Sequence, residues 1–105
     1  MIENLDLFAC PPFDYLFYVA KNCPLAIYTY LCLWRNQDRD GRLFRTRDQI
    51  RDEDSESWTC FVNNLRRLQK HDLLEFNFAN DKDAVVIILA AYIPETDKVY
   101  NVFGH

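Results

Sequence analysis

Hydrophobic positions divide this chain into stretches of different period. From Pro24 to Arg35, Leu25, Tyr28, Leu31, Cys32 and Trp34 recur at three- and four-residue spacing behind a proline suited to a first helical turn, which predicts a helix. Asn36 to Arg45 is polar and charged around Gly41, with Leu43 and Phe44 as a brief apolar pair. Thr46, Arg47, Asp48 and Gln49 then form a T-x-x-Q capping box, so a short helix is expected from Arg47 to about Glu53. Ser57 is a suitable N-cap for a longer helix ending near His71, with Phe61, Val62, Leu65 and Leu68 as its apolar stripe. There the period changes. Leu73 to Ala79 alternates, with Leu74, Phe76 and Phe78 on one face and Glu75 and Asn77 on the other, as in a half-buried strand. Asn80 to Asp83 supplies turn residues, Ala84 to Tyr92 reads as the returning strand of a β-hairpin, and Pro94 closes it.

The order is helix, short extended pair, helix, helix, hairpin, which predicts an α+β domain. At 105 residues and 12.5 kDa one core is expected, with residues 24–92 as its body. Residues 1–22, rich in Leu, Phe and Tyr around Pro11 and Pro12, are an extension expected to pack on that core, and Phe13 to Ala20 is compatible with a short helix. Residues 93–105 form a tail whose Val99, Tyr100, Val102 and Phe103 offer apolar area to the domain or to a second copy, so a homodimer is expected.

Composition narrows the picture. Half the residues are hydrophobic, 15% are aromatic and only two are glycine, which excludes disordered and low-complexity classes. The net charge is -4, but it is polarised: Arg35 to Lys70 holds nine basic and seven acidic residues, and the rest of the chain holds three and nine. Glu3, Asp6 and Asp14 interrupt any secretory pattern, and the longest apolar run, Ala84 to Ile93, is half of what a spanning helix needs. A soluble, cytoplasmic protein is expected.

The run Leu65-Arg66-Arg67-Leu68-Gln69-Lys70-His71-Asp72-Leu73-Leu74-Glu75, preceded by Ser55 and Ser57, resembles the winged helix-turn-helix superfamily, in which L-x-x-L-x-x-x-G-L-I closes the recognition helix and leads into the wing. Asp40, Gly41, Phe44, Arg47 and Ile50 extend the resemblance to the preceding segment, so it spans about two thirds of the chain. Small replication initiators of plasmids and phages, and related regulators, look like this here. Two departures stand out. Asp72 replaces the usual Gly, at a position where Asp tolerates the left-handed conformation. The wing turn carries Asp81 and Asp83 around Lys82, and the turn before the recognition helix carries Asp52, Glu53, Asp54 and Glu56, all repelled by phosphate.

The resemblance implies double-stranded DNA as a partner. With Phe61, Leu65 and Leu68 inward, Thr59, Asn63, Arg66, Arg67 and Lys70 face outward, a set in which Asn suits adenine, Arg suits guanine and Lys suits phosphate. Arg45 and Arg47 are candidate phosphate contacts, with Arg39 and Arg42 beside them. Trp58 is expected in the core. The rival reading is a winged helix turned to protein interaction through its acidic wing and aromatic termini. Catalytic patterns are absent from the sequence: Cys60 and His71 lie about 16 Å apart along one helix, and no phosphate-cradling glycine loop occurs. No enzyme, cofactor or metal site is expected. The four cysteines lack zinc spacing, and a calcium-like loop from Asn36 ends on Arg47 where a Glu would be needed.

Overall fold

The structure is a computed structural model that describes residues 11–90. Expectations for residues 1–10, for the strand end beyond Ala90 and for the tail 93–105 lie outside the described residues. Among the described residues, four α-helices and a three-stranded antiparallel sheet follow in order: α1 (Phe13–Asn22), a 3-10 turn (Pro24–Ala26), α2 (Ile27–Asn36), β1 (Arg42–Thr46), α3 (Arg47–Glu53), α4 (Trp58–Lys70), β2 (Leu74–Ala79) and β3 (Ala84–Leu89). β3 is the central strand, paired with β1 on one side and β2 on the other.

Local chemistry explains most boundaries. Thr46 Oγ1 accepts from Gln49 N–H while Gln49 Oε1 accepts from Thr46 N–H, so the expected capping box starts α3. Ser57 Oγ accepts from Cys60 N–H at the start of α4. At its end Asp72 takes the left-handed conformation (φ 62°), Leu73 N–H reaches Leu68 O and Asp72 N–H reaches Gln69 O. This is a Schellman closure with Asp where glycine is usual, and its partner contact is Leu68 with Leu73, both buried. Three successive residues of the hairpin turn, Asn80, Asp81 and Lys82, also have positive φ. Asn and Asp accept this conformation readily, whereas Lys82 is strained there.

The helix from Pro24 differs from its sequence reading. Its first three residues are a 3-10 turn, and the buried side is formed by Ala26, Thr29, Tyr30, Cys32 and Leu33, while Leu25 and Tyr28 are exposed. Ala26, Tyr30 and Leu33 at i, i+4, i+7 lie in the core cluster. The spacing rule thus identified a helix, but of the recurring residues only Cys32 is buried, Leu31 and Trp34 are intermediate, and Leu25 and Tyr28 face solvent. α1 runs two residues beyond its expected end and packs Tyr18 and Val19 into the core. The inner face of the sheet, Leu43, Leu74, Val85, Ile87 and Leu89, meets Phe61, Leu65 and Leu68 of α4 in one cluster with Ile50 of α3. No helix among the described residues is long and apolar enough to cross a membrane.

Candidate nucleic-acid interface

The rotation of α4 about its own axis decides which side chains reach solvent. Phe61, Leu65 and Leu68 are fully buried and Val62 nearly so, as the sequence predicted. A buried polar lock fixes the same rotation. Thr29 Oγ1 of α2 donates to Glu56 Oε2 at 2.8 Å, and Asn64 Nδ2 of α4 donates to Thr29 Oγ1 at 3.0 Å and to Glu56 Oε2 at 3.1 Å. Thr29 and Asn64 are both buried, so these bonds replace water that neither group can reach. The lock ties three pieces of the domain together: α2, the turn after α3, and α4. Sequence reading missed it, although Asn64 lies three residues after Phe61 and four before Leu68, on the buried side of any helix with that stripe.

Opposite the lock, Thr59, Asn63, Arg66 and Lys70 are all exposed. Their spacing of four, three and four residues aligns them in one stripe about 16 Å long. Arg67 flanks it, its Nη1 donating to Asn64 Oδ1 at 2.6 Å. From Ser57 to His71 the chain has no acidic residue, and none of Arg66, Arg67 or Lys70 is in an ion pair among the described residues. All five expected residues of this helix therefore share one accessible face. An α-helix in this presentation matches the width of the DNA major groove, about 12 Å.

The two arginines expected beside them behave differently. Arg45 is buried, with its Nη2 3.1 Å from Glu53 Oε1 and 3.4 Å from Asp54 Oδ1, so it is withdrawn from the set of phosphate contacts. The reason is strand parity: Leu43 points to the core, so Arg45 two residues on does too, and Phe44 between them faces solvent. Arg47 is half-exposed and already engaged. Its Nε donates to Asp83 Oδ1 at 3.0 Å and its guanidinium lies 5.2 Å over the Trp58 ring, joining α3, the first turn of α4 and the hairpin turn. Trp58 is partly buried and stacks on Phe61.

The acidic turn is mostly satisfied from within. Glu53 and Asp54 hold Arg45, Asp52 holds Arg51, and Glu56 accepts from Thr29 and Asn64. Burial raises the Asp54 carboxyl above its ordinary range, more than neighbouring Arg45 lowers it. The hairpin turn keeps Asp81 exposed, and Asp83 is tied to Arg47. Cys60 is exposed, while Cys23 and Cys32 are buried. Desolvation and the Glu56 carboxylate push the Cys60 thiol up, away from the thiolate that a nucleophile needs. Comparison with protein-family models, with curated proteins and with solved structures finds no match to this chain.

Proposed function

We propose that this protein is a winged helix that binds double-stranded DNA by laying the outer stripe of α4 in the major groove. The observation that carries the reading is the acid-free stripe Thr59, Asn63, Arg66 and Lys70 on the second helix of a helix–turn–helix pair, held in rotation by the Thr29–Glu56–Asn64 lock. Support for the fold comes from the order α2, β1, α3, α4, β2, β3 and the sheet order β1-β3-β2, which suit a three-helix core with a hairpin wing. Asn63 and Arg66 are the base-reading candidates, and Arg67, Lys70 and Thr59 position the backbone. The resemblance to plasmid and phage initiators makes regulation or replication of a mobile element, in the cytoplasm, the expected process.

The test is fluorescence anisotropy of a labelled random-sequence duplex at low and moderate salt. Wild type binds in a salt-sensitive way, and Arg66→Ala and Arg67→Ala each weaken binding and flatten the salt dependence by about one counterion. Unchanged affinity in both variants rejects the assignment. The acidic, partly apolar hairpin tip with Asp81 and exposed Phe78 favours the rival, a protein-interaction module. Asp81→Lys with Asp83→Lys separates the two: creation of DNA binding where wild type has none supports the rival, whereas a gain of about tenfold over existing binding supports the α4 reading.

A further inference from the structure

The outer face of the sheet carries a second, unrelated pattern. Along β3, Val86 and Ile88 are 40% and 43% exposed, and Phe44 on β1 is 51% exposed. The register places them in two rungs: Arg42, Ile88 and Glu75 across one, Phe44, Val86 and Asn77 across the next. An apolar centre is thus flanked on one side by a cation and on the other by an anion. Neither Arg42 nor Glu75 is in an ion pair among the described residues. In the loop before β1, the Asp38 carboxylate accepts from Arg42 N–H and feels the Arg42 charge.

The edges of the same sheet are partly closed. Arg42 N–H and C=O on the free edge of β1 are both taken by Asp38, and Thr46 N–H is taken by Gln49. On the free edge of β2, Gln69 Oε1 accepts from Phe76 N–H at 3.3 Å. Strand addition at either edge would have to displace these bonds. The sheet is therefore more open to a partner on its face than at its edges.

We infer that the outer sheet face is a contact surface for a second copy of this chain, related by a two-fold axis running along β3. That operator sets Ile88 against Ile88 and Val86 against Val86. It also exchanges the two sides of the sheet, so Arg42 of each copy lies over Glu75 of the other, forming two equivalent ion pairs. The patch is self-complementary as a consequence of its own charge order. Strands about 4.8 Å apart and rungs about 7 Å apart give a face of a few hundred Å², below the roughly 800 Å² per partner of a standard interface, so the dimer is weak and concentration-dependent. The helices pack on the inner face, so association leaves α4 uncovered and is independent of the DNA reading.

Sedimentation equilibrium of the full chain over a wide concentration range tests this. The weight-average mass of wild type rises from 12.5 kDa toward twice that value. Arg42→Glu alone and Glu75→Arg alone each replace two attractions by two repulsions and weaken association about tenfold or more. An equimolar mixture of these two variants recovers association, because each copy then offers the charge the other lacks. Arg42 and Glu75 are both exposed, so circular dichroism should show unchanged folding. A monomeric wild type at the highest concentrations overturns the inference, as does a dimer indifferent to both substitutions. Nuclear Overhauser contacts from Phe44 and Ile88 to residues 91–105 within one monomeric chain also overturn it, assigning the face to the protein's own tail.

Discussion

The β1–α3 corner and the outer face of α4 are both rich in arginine, yet their guanidinium groups meet opposite surroundings. In the corner Arg45 meets Glu53 and Asp54, Arg47 meets Asp83, and Arg51 meets Asp48 and Asp52. On α4, Arg66 and Lys70 face solvent with no ion-pair partner among the described residues, and Arg67 meets an amide oxygen. A chain of net charge -4 can therefore present a cationic helix, because many of its carboxylates are spent on its own arginines. Summed charge misjudges such a surface; the distribution of ion pairs over elements describes it.

The sharpest way to break the comparison is to remove one arginine from each region. Arg45→Ala leaves Asp54 buried beside an exposed Glu53, and removal of one partner of a buried pair costs about 3 kcal/mol. Arg66→Ala removes an exposed side chain and should change stability by less than about 0.5 kcal/mol. Urea unfolding of both variants checks this. Equal, small effects would mean that Arg45 contributes no more than a surface charge, and the distinction between the regions would fail.

The boundary between the two regions is the polar lock, and Asn64→Ala sharpens it. The substitution leaves Thr29 and Glu56 short of a donor in a buried setting and should cost about 1–3 kcal/mol. It also removes the amide oxygen that Arg67 holds, yet leaves the stripe of Thr59, Asn63, Arg66 and Lys70 in place. DNA affinity measured well below the unfolding midpoint should then change less than twofold. A loss comparable to that of Arg66→Ala would show that the lock sets the pose of α4, not only its stability.

Much of this architecture was legible because it is local. The capping box at Thr46, the Ser57 cap, the inward stripe of α4 and the left-handed Asp72 each depend on residues within one or two turns of each other. Non-local pairing hid the rest. β1 joins the sheet through partners some forty positions away, and without that pairing Leu43 and Phe44 read as neighbours of one kind rather than as opposite faces. The burial of Arg45 and the exposure of Phe44 both follow from it. Thr29 and Glu56 were equally hidden, since a polar residue on a helix or in an acidic turn gives no sign of a partner about thirty residues away.

The smallest expected effect concerns pH and asks which force governs the buried corner. Asp54 feels desolvation, which favours its neutral form, and Arg45, which favours its charged form; desolvation is the larger. Its pKa is thus higher in the folded state than in the unfolded state. The folded chain then binds a proton that the unfolded chain releases, so this contribution is fully present below the unfolded pKa and is lost as pH rises through the folded one. Asp54→Asn removes the titration while keeping the shape. Between pH 7 and pH 4 the urea midpoint of wild type should therefore improve relative to that of Asp54→Asn. Asp38 and Asp52 act in the opposite direction in both proteins, because hydrogen bonds from neighbouring N–H groups lower their pKa, and the comparison cancels them. If wild type instead loses ground in acid, the attraction of Arg45 outweighs burial, and the corner is held by its ion pairs more than it is strained by them.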